Sequence, residues 1–192
     1  MKNNTEFTTA LKKESNKDAR ELLDCFYYSL MRAGSIYGYK RMDYEESPEQ
    51  KAFQHLGADL LVQKRKHEYQ LYEEKVTFVS DLYFELKTYS YSQKRYVDGW
   101  LTSPYKKTDT LVYYMQDVGI YVFNFDKIKQ WILQHEKEFL HLESKDSKPN
   151  QLVRVTQEQL KQAPHSFIDW EELQLIKRIH CDKLDKITYG KE

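Results

Sequence analysis

Five short segments between Ala58 and Asn124 limit the possible folds of this chain more than anything else in it. Ala58 to Val62 (ADLLV) is an apolar run broken only by Asp59, which suits a buried strand. Lys64 to Glu68 reads as a polar turn. Tyr69 to Phe78 is rich in aromatic and β-branched residues, and Leu82 to Tyr89 alternates cleanly, with Leu82, Phe84 and Leu86 on one side. Thr110 to Met115 and Gly119 to Asn124 follow as two more strands around Gln116-Asp117-Val118. Helical patterns flank this block. Leu22, Leu23, Phe26 and Leu30 make one stripe of a helix expected over Ala10 to Met31, after a frayed lead-in at Met1 to Thr9 and before stop signals at Gly34 and Gly38. Ser47 and Pro48 open a second helix carrying Glu49, Ala52, Phe53 and Leu56, closed by Gly57. Asp126 opens a third, with Ile128, Trp131 and Ile132 on its apolar face.

Glu143 to Asn150 (ESKDSKPN) reads as a linker. Beyond it a short strand over Leu152 to Val155 precedes two helices, each announced by a capping pair: Thr156 with Gln159, and Asp169 with Glu172. Helices, then strands, then helices predict an α/β (α+β) class with a central mixed sheet flanked by helices. Residues 1–142 are expected to form the core, and 143–192 a C-terminal helical extension packed on the same domain.

Composition removes several classes of function. With 192 residues, the chain buries roughly 70% of its unfolded surface, so it needs neither a disulfide nor a structural zinc to fold. Its two cysteines, Cys25 and Cys181, lie far apart and form no metal-spaced pair. Thirty basic residues balance thirty acidic ones, which excludes nucleic-acid binding by bulk charge alone. Aromatic residues make up 15% of the chain, too many for extensive disorder. The polar start lacks a secretory apolar segment, and no stretch has the ~20 apolar residues a membrane span needs. A cytoplasmic protein is expected. No Gly-rich phosphate loop or nucleophile elbow occurs. The histidines (His55, His67, His135, His141, His165, His180) are scattered without zinc spacing, and His67 is expected nearest the site described next.

The chemistry of the chain concentrates in two Glu-x-Lys triplets, Glu73-Glu74-Lys75 and Glu85-Leu86-Lys87. On a strand, residues i and i+2 share a face, so each Glu projects with its Lys. A hairpin turning at Lys64 to Glu68 would bring Asp59 alongside Glu73, since paired strands lie about 4.8 Å apart. Clustered carboxylates repel unless a cation joins them. Hard oxygen donors with open water positions suit Mg²⁺ or Mn²⁺, which lowers the pKa of bound water and stabilises phosphate charge. The plainer reading is a set of cross-strand ion pairs on a solvated sheet face. Against it stands Asp59, a charge within an apolar run. Either triplet can be the working pair; Glu73/Lys75 follows directly on the Asp59 hairpin.

In this order (G-A-D59-L-L-V, Y-E73-E-K75-V, S-D-L-Y-F-E85-L, D-G99-W100-L, T108-D109-T-L-V-Y-Y, I-Y-V-F-N-F-D126-K-I-K-Q-W131), Gly57 to Ile132 resembles the PD-(D/E)XK nuclease superfamily, with its restriction-endonuclease-like core. Ala58 stands where the family pattern has proline. The resemblance implies metal ligands at Asp59, Glu73 and Glu85, with Glu49 a helix-borne fourth, and Lys75 as the motif lysine. It implies a Mg²⁺-dependent (or Mn²⁺-dependent) endonuclease acting on DNA, either as the cleavage subunit beside a DNA-recognition partner or as a homodimer. Basic loops at Lys64, Arg65 and Lys66, at Lys94 and Arg95, and at Lys106 and Lys107, interleaved with tyrosines, are the expected DNA contacts. A non-catalytic module keeping the fold and binding nucleic acid or protein is the alternative.

Overall fold

A computed structural model describes residues 3–42, 56–143 and 149–188, with side chains described over 17–42, 56–143 and 149–180. The expected helix bearing Glu49 falls mostly on residues outside these ranges. Among the described residues the strands form two sheets. The larger runs in the order β1 (Gly38–Arg41), β2 (Leu60–Arg65), β3 (Glu68–Thr77), β6 (Thr110–Met115), β7 (Gly119–Asn124) and β10 (Ser166–Asp169). Its pairs are antiparallel except β3 with β6, which is parallel, so the central sheet is mixed as expected. The smaller sheet is antiparallel throughout, in the order β5 (Arg95–Asp98), β4 (Leu82–Ser90), β9 (Asn150–Val155) and β8 (Leu140–Glu143).

Among the described residues the α-helices are α1 (Asn3–Arg32), α2 (Phe125–Gln134), α3 (Gln157–Leu160) and α4 (Trp170–Thr188). Their starts follow the caps read from sequence. Asn124 Oδ1 accepts the Lys127 N–H at 3.0 Å, Thr156 and Gln159 cap each other, and Asp169 Oδ1 accepts the Glu172 N–H at 2.8 Å. Helix α1 extends through the lead-in expected to fray.

Two apolar layers follow from strand alternation. On one face of the large sheet, Leu22, Leu23, Phe26 and Tyr27 of α1 meet Leu60, Val62, Tyr72, Val112 and Ile120, with Leu173 of α4. On the other face, Leu111, Tyr113, Met115 and Phe123 pack against Phe84, Val153 and Val155 of the small sheet and Ile128 and Ile132 of α2. Strand β6 is buried on both faces, which explains its unbroken apolar run.

Two expectations change here. The strand over Leu82 to Tyr89 exists, but it leaves the central sheet. Its inward row of Leu82, Phe84 and Leu86 is entirely apolar and covers the large sheet face-on. With β5 and the loop after it, β4 forms the crossover that the parallel β3–β6 pair requires. The C-terminal segment is also more than a helical extension. Strand β9 sits inside the small sheet between β4 and β8, and β10 closes one border of the large sheet. The borders β1, β5, β8 and β10 are four residues each, too short for a period-2 signal to register in sequence.

Phe84 is fully buried, with ring contacts to Trp100, Tyr113 and Phe123 across the layer. Phe84→Ala should lower unfolding stability by about 3–5 kcal/mol, whereas Tyr105→Ala, at a residue 75% exposed, should change it by less than about 0.5 kcal/mol. Urea titration followed by tryptophan fluorescence measures both.

Candidate functional site

Strand β3 turns its side chains alternately to the two layers. Tyr72 and Glu74 face α1, while Glu73 and Lys75 face the small sheet, in register with Leu111 and Tyr113 of β6. Glu73 is only 3% exposed. A carboxylate so far from water is costly unless matched by positive charge and hydrogen bonds. It has both: Lys75 Nζ lies 2.5 Å from Oε1 and Lys106 Nζ 2.6 Å from Oε2. Lys75 arrives by the i, i+2 rule.

Lys106 comes from the loop between β5 and β6 and crosses directly over Gly57. A Cβ at Gly57 would stand 2.3 Å from Lys106 Cδ and 2.7 Å from Thr108 Oγ1. Gly57 also has φ +79°, open to glycine at little strain. The loop is clipped in place here: the Thr108 hydroxyl donates to the Gly57 carbonyl at 2.7 Å, and the Lys107 N–H to the Leu56 carbonyl at 2.8 Å. Trp100 forms the floor, its ring centroid 5.0 Å from Lys75 Nζ and 5.8 Å from Lys106 Nζ.

Glu85 adds a second carboxylate to this region. Oε1 accepts the Trp100 N–H at 3.2 Å and Oε2 the Asn150 amide at 2.6 Å. The Thr88 hydroxyl holds Asn150 Oδ1 at 2.6 Å. Burial raises the Glu85 carboxyl above its usual range; the Trp100 N–H and the ammonium groups of Lys75 and Lys106 pull it back, and Glu73 pushes it up. The chain passes close at this point: a Cβ on Gly99 would lie 2.6 Å from the Glu85 carbonyl oxygen. Relative to β9, strand β4 has an extra residue between Glu85 and Lys87. That bulge disturbs the pairing of the second triplet with β9, and Lys87 is exposed opposite Asp98 of β5.

Asp59 ends just short of β2. The hairpin register places it beside Glu73, as expected, because Leu60 pairs with Tyr72. Its Oδ2, however, accepts the Glu74 N–H at 2.7 Å, so this oxygen serves the β3 backbone. Behind Glu73, on the α1 side, Arg41 binds Asp24 (2.9 Å from Nε, 2.8 Å from Nη2) and Glu74 (2.5 Å), and Tyr39 adds a hydrogen bond to Asp24 at 3.1 Å. Burial raises the Glu74 carboxyl, and Arg41 opposes that shift.

The expected basic contacts disperse. Lys64, Arg65 and Lys66 lie at the β2–β3 turn, with His67 at φ +69°, about 20 Å along the strand from Glu73 at ordinary strand rise. Lys94 and Arg95 lie at the β4–β5 turn, and Lys107 is exposed beside Lys106. Among the expected contacts only Lys106 joins Glu73, as an ion-pair partner. Trp100, named from sequence only within the D-G-W-L motif, and Asn150 are additions to the expected site residues; the adjacent Gly99 was the one local hint.

Among the described residues no group of three or more His, Cys, Asp or Glu side chains gathers closely enough to hold a metal ion. Mg²⁺ commonly takes one or two carboxylates and keeps several waters. Here both oxygens of Glu73 and both of Glu85 are taken by donors of the protein, and one of Asp59 by a backbone N–H, so these residues do not form an assembled all-protein cage. Comparison with protein-family models, curated proteins and solved structures gives no match.

The Glu85 carboxyl should titrate above the ordinary carboxylate range, and Lys106→Met should raise it further, as read by carbon NMR of the labelled glutamate. Folded Glu85 keeps its proton where the unfolded chain has lost it. Its contribution to stability is therefore full at low pH and falls as pH rises from the ordinary range through the raised value. Gly57→Ala should displace Lys106 and lower the thermal midpoint by several degrees.

Proposed function

We propose that the chain is a divalent-metal-dependent endonuclease, with a restriction-endonuclease-like core and its working face at Glu73, Lys75, Lys106 and Glu85. The observation that carries this reading is the buried Glu73 carboxylate held between two lysines on the inner face of β3, with a second carboxylate nearby and Asp59 on the neighbouring strand. Glu73 with Glu85 or Asp59 would hold Mg²⁺ or Mn²⁺, which when bound would lower the pKa of a water and stabilise charge on phosphate.

The remaining work falls to the chain's own residues. Lys75, 31% exposed at its side chain, offers an ammonium to a phosphate oxygen, where it stabilises the charge that develops as the phosphodiester is attacked. Glu73 fixes that ammonium's position, and the Trp100 ring supports it from below. Lys106, 12% exposed at its side chain, is the deeper partner and keeps Glu73 neutralised when Lys75 turns to substrate. The DNA is brought either by a recognition subunit or by a second copy of the chain.

One observation favours the alternative of a non-catalytic binding module. Both oxygens of Glu73 and both of Glu85 already have donors within the protein. Plasmid cleavage distinguishes the readings. With Mg²⁺ or Mn²⁺, the protein, alone or with its partner, should cut supercoiled DNA. Glu73→Gln and Lys75→Met should each reduce the rate by about 100-fold or more, with folding checked by circular dichroism. Absence of metal-dependent cleavage leaves the binding module, and cleavage unchanged in both variants overturns the assignment of Glu73 and Lys75.

A further inference from the structure

We infer that the cleft between α1, α4 and the β6–β7 turn is a binding site for a guanidinium group. It lies on the α1 side of the large sheet, opposite the face that carries Glu73 and Lys75, and does not depend on the nuclease reading. Adjacent residues of β6 mark the division: Tyr113 pairs with Lys75 and faces the small sheet, while Tyr114 faces α1.

Three elements build the cleft. Asp18 and Leu22 lie one turn apart on α1 and share a face, as do Trp170 and Lys177, two turns apart on α4. The β6–β7 turn adds Asp117 at φ +60°, closed by the Val118 N–H donating to the Met115 carbonyl at 3.2 Å. The space they line is about 310 Å³, within the range of small-ligand cavities.

The deepest polar group in this lining lacks a partner. Tyr114 is 3% exposed, yet its hydroxyl makes no hydrogen bond to any described residue. A hydroxyl so far from water normally finds one. Burial, then Asp117 and Asp18, push it up to about 12, so it stays a neutral hydroxyl with two carboxylates near it.

Charge and wall chemistry select the ligand. The lining holds two acids, Asp18 and Asp117, against one base, Lys177, whose ammonium already lies 3.3 Å from Glu21. Counting Lys177 in full still leaves one negative charge in excess. Among the described residues neither Asp18 nor Asp117 has an ion-pair partner. Both carboxylates sit exposed at the rim, with Tyr114 and Leu22 buried and Trp170 half-buried. A metal ion would leave the aromatic and apolar wall unused. A guanidinium uses all of it: planar and weakly hydrated, it donates to carboxylates and to a hydroxyl oxygen and packs on aromatic rings, whereas an ammonium is more strongly hydrated and carries fewer donors. The group can come from a free guanidine or from an arginine side chain of another protein.

Isothermal titration of the full chain tests the site. Butylguanidinium should bind with a dissociation constant of about 1 mM or below, and its neutral counterpart butylurea at least about 5-fold more weakly. Asn tolerates the left-handed backbone of Asp117, so Asp117→Asn removes only the charge; it and Tyr114→Phe should each weaken butylguanidinium by about 5-fold. Lys177→Met should tighten binding, a sign that lost packing would not give. A blocked Gly-Arg-Gly peptide separates the sources: bound as well as butylguanidinium, it assigns the cleft to an arginine side chain; refused, it assigns the cleft to a free guanidine. No binding of butylguanidinium, equal binding of butylurea, or an affinity unchanged in both Asp117→Asn and Tyr114→Phe overturns the site and leaves the nuclease reading as it stands.

Discussion

One buried carboxylate organises the middle of this molecule. Glu73 lies at the junction of the two sheets, where burying a charge is tolerable only with close positive partners. Those partners come from the same strand and from a loop more than thirty residues on. To deliver the second one, the loop must run over a glycine, be clipped by Thr108, and set Trp100 under both ammonium groups. Removing Glu73 would leave two lysines crowded on a ring, so the carboxylate and its cations depend on each other.

The layers on either side make that arrangement rigid. The α1 side is closed by its own charged cluster of Arg41, Asp24 and Glu74, and the small-sheet side by aromatic packing from Phe84 to Trp100 and Phe125. Side chains held by both packing and hydrogen bonds lose little further freedom on meeting a ligand. Glu85 shows the same economy: the N–H of Trp100 and the amide of Asn150 fix its two oxygens from opposite neighbours of β4.

Much of the frame was legible in the chain. The strands β3, β6 and β7, the caps at Thr156 and Asp169, and the shared face of Glu73 and Lys75 all follow from period and local chemistry. What escaped reading depends on distance along the chain. A clean period-2 pattern over Leu82 to Tyr89 identifies a strand but not the sheet it joins. The bulge that separates Glu85 from Lys87 is a property of pairing with β9, about 65 residues later. Lys106 carried no signal that it would meet a buried acid, because its loop has no periodicity and its path is set by Gly57. Asp59 shows the subtler case: the hairpin put it on the expected strand neighbour, while a backbone N–H captured one of its oxygens.

Glu73 and Glu74 are adjacent in sequence, yet each belongs to a different charged cluster on a different side of the sheet. Shifting β3 by one residue to bring Glu74 to the tryptophan floor would set Lys75 against Arg41, and shifting it the other way would put Tyr72 in the seat of Glu73 beside Lys106. Tandem acids at that point therefore act as a registration key for the sheet: the strand has one seat in which every deep charge is answered, and each one-residue slip leaves at least one of them opposed or unanswered.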